Sequence, residues 1–323
     1  MPNEANDIEF TAGRLRESVL TLRQDIGRVV VGQRETVDAL LCALLAGGHV
    51  LLEGVPGLGK TLLVKVLGRL LDLSVARVQF TPDLMPADIL GSQVLTEGPN
   101  GPSLTFRRGP IFHELVLADE INRANPRTQA ALLEAMAERQ VSLGDVTHTL
   151  GPPFFVMATE NPIDMEGTYP LPEAQADRFM LKLTVDAPDR ETLLSILDVD
   201  SETRLPSLRA VVSKADLLMF QRHVREIPAA TGVKEMLVDL VLSTRPENLP
   251  ADLRAFVTLG VSPRGAQALL AAARARAACE GRLQVSREDI KAMALPALRH
   301  RLLTTFAARV EGVRADAILA RLL

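Results

Sequence analysis

The eight-residue run Gly54–Thr61 carries the clearest chemistry in this sequence: Gly-Val-Pro-Gly-Leu-Gly-Lys-Thr, directly after the apolar residues 50–52. It matches the phosphate-binding loop G-x-x-x-x-G-K-[ST], with a strand before it and a helix after it. Backbone N–H groups of such a loop point at phosphate oxygens, and the helix N-terminus adds partial positive charge. Lys60 is predicted to contact the β- and γ-phosphates, and the Thr61 hydroxyl to bind Mg²⁺. The residues predicted to contact the nucleotide here are Gly54, Pro56, Gly57, Leu58, Gly59, Lys60, Thr61 and Leu62.

A pair of carboxylates follows the apolar run Leu115–Ala118. Ligands of α/β proteins bind at the carboxyl ends of the strands. Asp119 is therefore predicted to hold Mg²⁺, directly or through water, and Glu120 to orient or deprotonate the attacking water. The alternative is two solvated carboxylates at a strand end, which the phosphate-binding loop 59 residues upstream disfavours. Loop and carboxylates together predict binding and hydrolysis of a nucleoside triphosphate with magnesium.

Two more polar residues are candidates for contact with the terminal phosphate. Asn161 follows the apolar run 154–158 and can hydrogen-bond the γ-phosphate or the lytic water, although a turn-forming Asn before Pro162 explains the spacing equally well. Arg264 lies in the first turn of a helix predicted to start at Ser262-Pro263, where a cation opposes the helix dipole. A bound phosphate would resolve that conflict, and a tolerated exposed arginine is the alternative.

Arg178, in the run Asp177–Phe179, is a candidate for action on a neighbouring subunit. An arginine supplied in trans stabilises the charge on a transferring phosphoryl group. The sequence alone does not separate this role from a structural ion pair between Asp177 and Arg178.

The elements that must position these residues are short apolar runs alternating with helical patterns. Such runs, separated by helices, predict a parallel sheet covered on both faces. Charged residues and Pro206 mark 188–212 as the passage to a second domain, and from Lys214 onward only helical patterns are visible. We therefore predict a nucleotide-binding core over 1–186, and a linker with a helical lid over 187–323. The predicted strands are 50–52, 76–80, 115–118, 154–158 and 180–185.

Two segments of the core, about 91–110 and 140–150, have the strand-turn-strand pattern of hairpins. The turns are at Glu97–Pro102 and at Gly144-Asp145. Neither hairpin is needed to close a nucleotide site. Insertions of this kind often form interaction surfaces, and plain connecting loops are the alternative.

Composition disfavours a nucleic-acid binder and a membrane-spanning protein. The chain has 323 residues, 47% of them hydrophobic, and a net charge of −4, which does not indicate a nucleic-acid binder. The charge is uneven: residues 1–213 hold 19 basic and 29 acidic residues, and the rest hold 17 and 11.

Cys42 and Cys279 have no partner at metal or redox spacing and are predicted to be buried. The polar N-terminus and the interrupted apolar stretch 37–52 predict a cytoplasmic protein without a membrane span.

The motifs occur in the order found in an AAA+ ATPase, and longer runs make the chain similar to the MoxR family. The resemblance covers about residues 25–323, and Gly167–Gln175 is its most specific part. The runs that carry it are Gly109–Phe112, Asp119–Ala124, Gln129–Met136, Asn161-Pro162, Glu166–Gln175 and Leu298–Arg301.

The resemblance implies a five-stranded αβα core with a helical lid, and ATP bound between the subunits of a ring, commonly a hexamer. It also implies chaperone-like activity, often with a partner that bears a von Willebrand factor A domain. The hairpins correspond to the helix-2 insert and the pre-sensor hairpin of the clade. The roles implied are Lys60 and Thr61 in Walker A, Asp119 and Glu120 in Walker B, Asn161 as sensor 1, Arg178 as arginine finger, Arg264 as sensor 2, Gly32 and Gln33 beside the adenine, and Arg123 facing a neighbour.

Three functions fit these features. The first is an ATP-driven ring that remodels or matures partner complexes. The second is a scaffold that recruits a partner when ATP is bound, with incidental turnover. The third, a nucleic-acid motor, has only the basic lid in its favour, because no pattern of stacking aromatic and basic residues is present.

Overall fold

A computed structural model describes residues 2–55, 57–98, 101–144, 146–162 and 167–323. An α/β part is followed by a mainly helical part. Several residues singled out from the sequence lie outside the described residues: Pro56, Pro99, Asn100, Asp145 and Glu166.

The strands of the described residues form one central sheet and three small two-stranded sheets. Their bounds, in chain order, are β1 Val50–Gly54, β2 Val75–Gln79, β3 Gly91–Gly98, β4 Gly101–Arg108, β5 Leu115–Asp119, β6 Gln140–Leu143, β7 Val146–Thr149, β8 Phe155–Glu160, β9 Leu181–Val185, β10 Val257–Leu259 and β11 Leu303–Thr304.

Helices cover both faces of the central sheet and make up most of the chain after it. The α-helices are α1 Pro2–Gly27, α2 Arg34–Ala46, α3 Lys60–Leu70, α4 Pro86–Leu90, α5 Pro126–Glu138, α6 Glu173–Ala176, α7 Arg190–Leu197, α8 Ser201–Ser207, α9 Lys214–Glu226, α10 Thr231–Ser243, α11 Pro263–Cys279, α12 Arg287–Leu298, α13 Phe306–Val310 and α14 Ala315–Leu322. Short 3₁₀ turns lie at Pro110–Phe112, Ile121–Arg123, Pro246–Asn248 and Arg254–Phe256.

The central sheet has the order β2-β5-β8-β1-β9, and every pairing in it is parallel. The carboxyl ends of β1, β5 and β8 therefore meet at one edge, which brings Gly54, Asp119 and Glu160 to the same side of the sheet. The predicted five-stranded αβα core is confirmed, and each predicted strand shifts by only a few residues.

Alternate residues of the sheet enter two separate hydrophobic clusters. In β1, Leu52 belongs to the cluster on one face and Leu51 to the cluster on the other. The same alternation separates Leu117 from Val116 in β5. Both faces are thus buried against helices, which is why these strands consist of nearly continuous apolar runs.

The two hairpins precede and follow β5 along the chain. β3 pairs antiparallel with β4, and β6 with β7. Phe106 of the first hairpin stacks on His148 of the second, with 4.1 Å between ring centroids. This contact joins the two hairpins to each other.

Side-chain cap hydrogen bonds mark the starts of three helices, and they confirm the helix start predicted at Ser262-Pro263. Asn125 accepts from the backbone N–H groups of the first turn of α5. Ser262 accepts from Gly265 N at the start of α11. Ser286 and Asp289 form a reciprocal capping box at the start of α12.

The part of the chain that follows the core is mainly helical, as predicted, and it also contains one small two-stranded sheet that the sequence did not indicate. β10 and β11 pair antiparallel through Val257 with Thr304 and Leu259 with Leu303. Strands of two or three residues are too short to show a periodic pattern, and their pairing joins segments far apart in sequence. The predicted burial of Cys42 and Cys279 is confirmed. No helix among the described residues is long and apolar enough to cross a membrane.

Candidate nucleotide site

A cavity of about 400 Å³ lies at the carboxyl edge of the central sheet. The phosphate-binding loop forms one wall, and the ends of β2, β5 and β8 form the other. The two motifs singled out from the sequence therefore face the same space. The lining residues are Gly57, Gly59, Lys60, Thr61, Leu62, Arg77, Gln79, Asp119, Glu120, Thr159 and Asn161.

The glycines of the loop have a conformational role. Gly57 and Gly59 have φ angles of +84° and +74°, a region that other residues rarely adopt. A Cβ atom at either position would meet nothing within 4 Å, so backbone conformation and not crowding calls for glycine. The bend ends at Lys60, where α3 begins and directs its first N–H groups toward the cavity.

Lys60 reaches back across the loop and donates a hydrogen bond from Nζ to the Gly54 carbonyl. Burial lowers the pKa of Lys60, and the nearby carboxylates of Asp119, Glu120 and Glu53 oppose that shift. The ammonium group thus lies close enough to the acidic strand ends to interact with them. A phosphate entering the cavity would supply a further anion for this charge.

Asp119 uses both of its carboxylate oxygens. Thr159 Oγ1 donates to Asp119 Oδ1 at 2.7 Å, and Arg77 Nη2 donates to Asp119 Oδ2 at 2.7 Å. The Thr61 hydroxyl lines the same cavity. Carboxylate and hydroxyl oxygens are the hard ligands that Mg²⁺ takes alongside phosphates and water, so this donor set fits the cation.

Glu120 stands in a left-handed conformation with φ 56° and ψ 52°. This uncommon geometry for a residue with a side chain is typical of functional sites. Its backbone N–H donates to Thr159 Oγ1 at 2.8 Å. Its Oε2 accepts from Gln79 Nε2 at 2.7 Å and from Arg123 Nη1 at 3.0 Å. The carboxylate is therefore held at the cavity wall by side chains from two other segments.

Two further predicted segments complete the surroundings of the loop. Asn161 is buried and lines the cavity. Gln33 Nε2 donates to the Leu58 carbonyl at 2.6 Å, which fastens the segment predicted to lie beside the adenine to the phosphate-binding loop. Gly32 has φ +80° and lies against Thr192 of α7.

Three arginines singled out from the sequence stand outside this lining: Arg178 and Arg264, predicted to act on a nucleotide, and Arg123, predicted to face a neighbour. Arg178 is half-buried and donates from Nη1 to the Leu133 carbonyl at 2.6 Å. Arg264 is exposed at the start of α11. Arg123 is exposed and forms its ion pair with Glu120. Asp177, considered from the sequence as the partner of Arg178, instead forms an ion pair with Arg301 at 2.5 Å.

Sequence reasoning missed three lining residues. Arg77 and Gln79 interrupt the run 76–80 at every second position, which places them on one face of a strand. That alternation was a usable signal. Thr159 gave no such signal, because its role depends on β8 lying next to β5.

Fold and site define a nucleotide-binding protein of the AAA+ class, and comparison with known proteins supports this. Residues 49–181 match the family described as "ATPase family associated with various cellular activities (AAA)". Residues 252–322 match the AAA lid domain. A solved structure of a proposed ATPase from Cytophaga hutchinsonii superimposes with a TM-score of 0.90 at 36% identity, covering 99% of this chain and 97% of that one.

Similar curated proteins indicate the family within the AAA+ class. The chain is 41% identical to Chaperone MoxR1 of Mycobacterium tuberculosis, over 93% of this chain and 79% of that protein. It is 33% identical to Protein MoxR of Paracoccus denitrificans, over 85% of each. It is 44% identical to the uncharacterized protein YeaC of Bacillus subtilis, over 93% of this chain and 91% of that protein. The chain belongs to the MoxR family of AAA+ ATPases, as the sequence motifs predicted.

Proposed function

We propose that this protein binds ATP with Mg²⁺ and hydrolyses it within a ring of identical subunits, and that turnover drives chaperone-like remodelling or maturation of partner protein complexes. The observation that carries the proposal is the shared cavity: Lys60 and Thr61 face Asp119 and Glu120 across one space. A triphosphate seated in the loop would direct its terminal phosphate at the two carboxylates.

Within this proposal, Thr61 and Asp119 hold the Mg²⁺, which neutralises charge on the β- and γ-phosphates. Glu120 takes or orients the proton of the attacking water. Asn161 hydrogen-bonds the water or the γ-phosphate from the end of β8. Gln79 and Arg123 hold the Glu120 carboxylate in place from either side.

The positions of Arg178 and Arg264 support a nucleotide bound between subunits. Arg178 does not line the cavity of its own subunit, which agrees with a role at the nucleotide of the neighbouring subunit. Arg264 lies on the lid, from which it can approach the phosphates when lid and core close around the nucleotide. We propose a hexamer as the ring, following the family resemblance.

The first hairpin supports a protein partner. Leu95 and Leu104 pair across β3 and β4, and both are about two-thirds exposed, at 69% and 67%. Paired exposed leucines suit contact with another protein surface. A protein with a von Willebrand factor A domain is the partner class that we propose from the family resemblance, and the name Chaperone MoxR1 of one relative agrees with a chaperone role.

Phosphate release from Mg-ATP tests the enzymatic part directly. Wild type should turn over, and Glu120→Gln should lose about 100-fold or more of the rate while it still binds ATP in calorimetry. Glu134→Gln, an exposed carboxylate on α5, is the matched control and should keep the rate. Wild type no faster than Glu120→Gln under assembly-promoting conditions, with the partner present, would overturn the enzymatic proposal.

A further inference from the structure

Arg301 is a buried charge on the lid with no part in the cavity. It follows α12, and its side chain is 2% exposed. A buried guanidinium is costly unless its donors are satisfied. The hydrogen-bond acceptors of Arg301 therefore indicate its structural role.

All five N–H donors of Arg301 find acceptors. Nε donates to Asp177 Oδ1 at 2.5 Å, and Nη2 donates to the carbonyls of Asp177 and Phe179 at 2.9 and 2.7 Å. Nη1 donates to the Met180 carbonyl at 3.0 Å and to the carbonyl of Ala297 in its own helix. Four of these five acceptors belong to the core segment 177–180. A lysine, with three donors and no planar fork, could not replace this set.

The segment 177–180, to which Arg301 donates its hydrogen bonds, includes Arg178. His300, next to Arg301, adds a contact between its Nε2 and the Phe179 carbonyl at 3.0 Å. The carbonyls on both sides of Arg178 are thus bound by the lid. Arg178 extends from this anchored backbone to the Leu133 carbonyl. Its backbone position is therefore set from the lid and not from the sheet alone.

The start of α11 meets the same guanidinium from the other side. A Cβ added to Gly265 would lie 2.8 Å from Arg301 Cδ, so the first turn of α11 packs directly on this side chain. Arg264, the residue before Gly265, is close enough for its charge to oppose that of Arg301. Arg301 thus lies between the helix start that carries Arg264 and the segment that carries Arg178.

We infer that Arg301 is a positioning residue for trans-acting Arg178: it ties the lid of one subunit to the arginine which that subunit presents to its neighbour's nucleotide. The inference rests on the proposed hydrolysis between subunits and adds the physical link that couples a lid to the next site. Asp177 is the core side of that link.

Mixed rings test the inference, because an arginine that acts in trans can be supplied by another subunit. Arg301→Lys, Asp177→Asn and Arg178→Ala are each assayed alone and after reassembly with Glu120→Gln subunits, which have no base of their own but keep an intact Arg178. Arg301→Lys and Asp177→Asn alone should lose about 10- to 100-fold in turnover, since misplacement of a catalytic group by about 1 Å costs up to about 100-fold. Arg178→Ala, which removes the arginine itself, should lose at least as much. Each should keep its ATP affinity within about threefold.

Mixing with Glu120→Gln subunits should restore several-fold activity per Arg301→Lys or Asp177→Asn subunit, as for Arg178→Ala. Arg299→Lys is the matched control: Arg299 contacts Thr184 and Asp316, not the segment 177–180, so turnover should stay within about twofold of wild type. If Arg301→Lys fails to fold by circular dichroism, Asp177→Asn carries the test, because it leaves the lid residue in place.

Three outcomes separate the inference from the function on which it rests. Rescue of Arg178→Ala without rescue of Arg301→Lys and Asp177→Asn would overturn the inference and leave the proposed function standing. Wild-type turnover by Arg178→Ala would overturn the trans role itself. Absence of turnover in wild type would overturn the proposed function.

Discussion

Charged side chains have different surroundings in the candidate nucleotide cavity and at the contact between lid and core around Arg301, here called the junction. In the cavity, the charged groups bond mainly to one another's side chains and face open space; Arg77, for example, remains 51% exposed. At the junction, which comprises Arg301, His300 and the segment 177–180, a single charge is buried and bonds mostly to backbone carbonyls. The charged groups proposed to contact a ligand remain accessible to it. The guanidinium that links lid and core has all of its donors hydrogen-bonded within the protein.

The largest expected effect concerns stability at the junction. Arg301→Met would leave the Asp177 carboxylate and several buried carbonyls without a donor, and should lower the free energy of unfolding by about 3–5 kcal/mol. Arg264→Met, on the exposed start of α11, should change it by less than about 0.5 kcal/mol. Urea unfolding of both variants measures the difference. Equal stability of the two variants would refute the contrast between the regions.

In the cavity, a substitution should change ligand affinity more than it changes the free energy of unfolding. Lys60→Met removes a charge-assisted hydrogen bond to phosphate, worth about 1.5–3 kcal/mol, and should weaken ATP binding about 10- to 150-fold. Its unfolding free energy should fall little, because burial already disfavours the charge of Lys60. Calorimetric titration with Mg-ATP measures the affinity. Unchanged affinity would place the phosphates elsewhere.

Acid should destabilise the fold through the buried histidine His49. Burial, with the positive charge of Arg139, lowers the pKa of His49 to about 4 from an ordinary value of 6.5. His49 Nδ1 accepts from Val156 N at 3.0 Å, and the His49 backbone carbonyl accepts at 2.8 Å from the N–H of Met180, which belongs to the junction.

Between pH 6.5 and 4 the unfolded chain binds the proton and the folded chain does not. The contribution of His49 is therefore complete above pH 6.5 and is lost as the pH falls to about 4, by roughly 3 kcal/mol. Unfolding curves across this range should show the slope. His49→Gln should flatten it and His113→Gln, at an exposed site, should not; an identical slope in all three proteins would contradict the assignment.

The smallest expected effect concerns Arg77. Since its guanidinium occupies one oxygen of Asp119, Arg77→Met should free that oxygen and lower the Mg²⁺ concentration needed for ATP binding. The gain should be no more than about 1 kcal/mol, because the ion pair is half exposed. A Mg²⁺ titration of ATP binding checks it. A higher Mg²⁺ requirement would show that Arg77 helps to hold the carboxylate for the metal.

Much of the candidate nucleotide site was predictable because its parts are contiguous in sequence. The loop Gly54–Thr61 carries its own conformation in its glycines, and Asp119 and Glu120 end an apolar run. Parallel strands between helices bring such ends to one edge. The helix start at Ser262 was predictable for the same reason, since its side chain bonds within its own first turn.

The missed residues depend on relations between distant segments. Gln79 meets Glu120 because β2 pairs with β5 in a register that sets Gln79 opposite Asp119. The strands β10 and β11 exist only as partners of each other. Arg301 meets Asp177 across 124 residues of sequence, and nothing near either residue indicates the other.

The amino-acid sequence by itself indicated the residues that we propose bind a triphosphate, and it determined the order of strands and helices that supports them, because those properties depend on neighbours a few positions apart. Only the tertiary structure decided that Asp177 belongs to Arg301 and not to Arg178, and that lid and core share one buried guanidinium. A buried charge takes its partners from whatever packing brings within hydrogen-bond reach, and packing is a property of the whole chain.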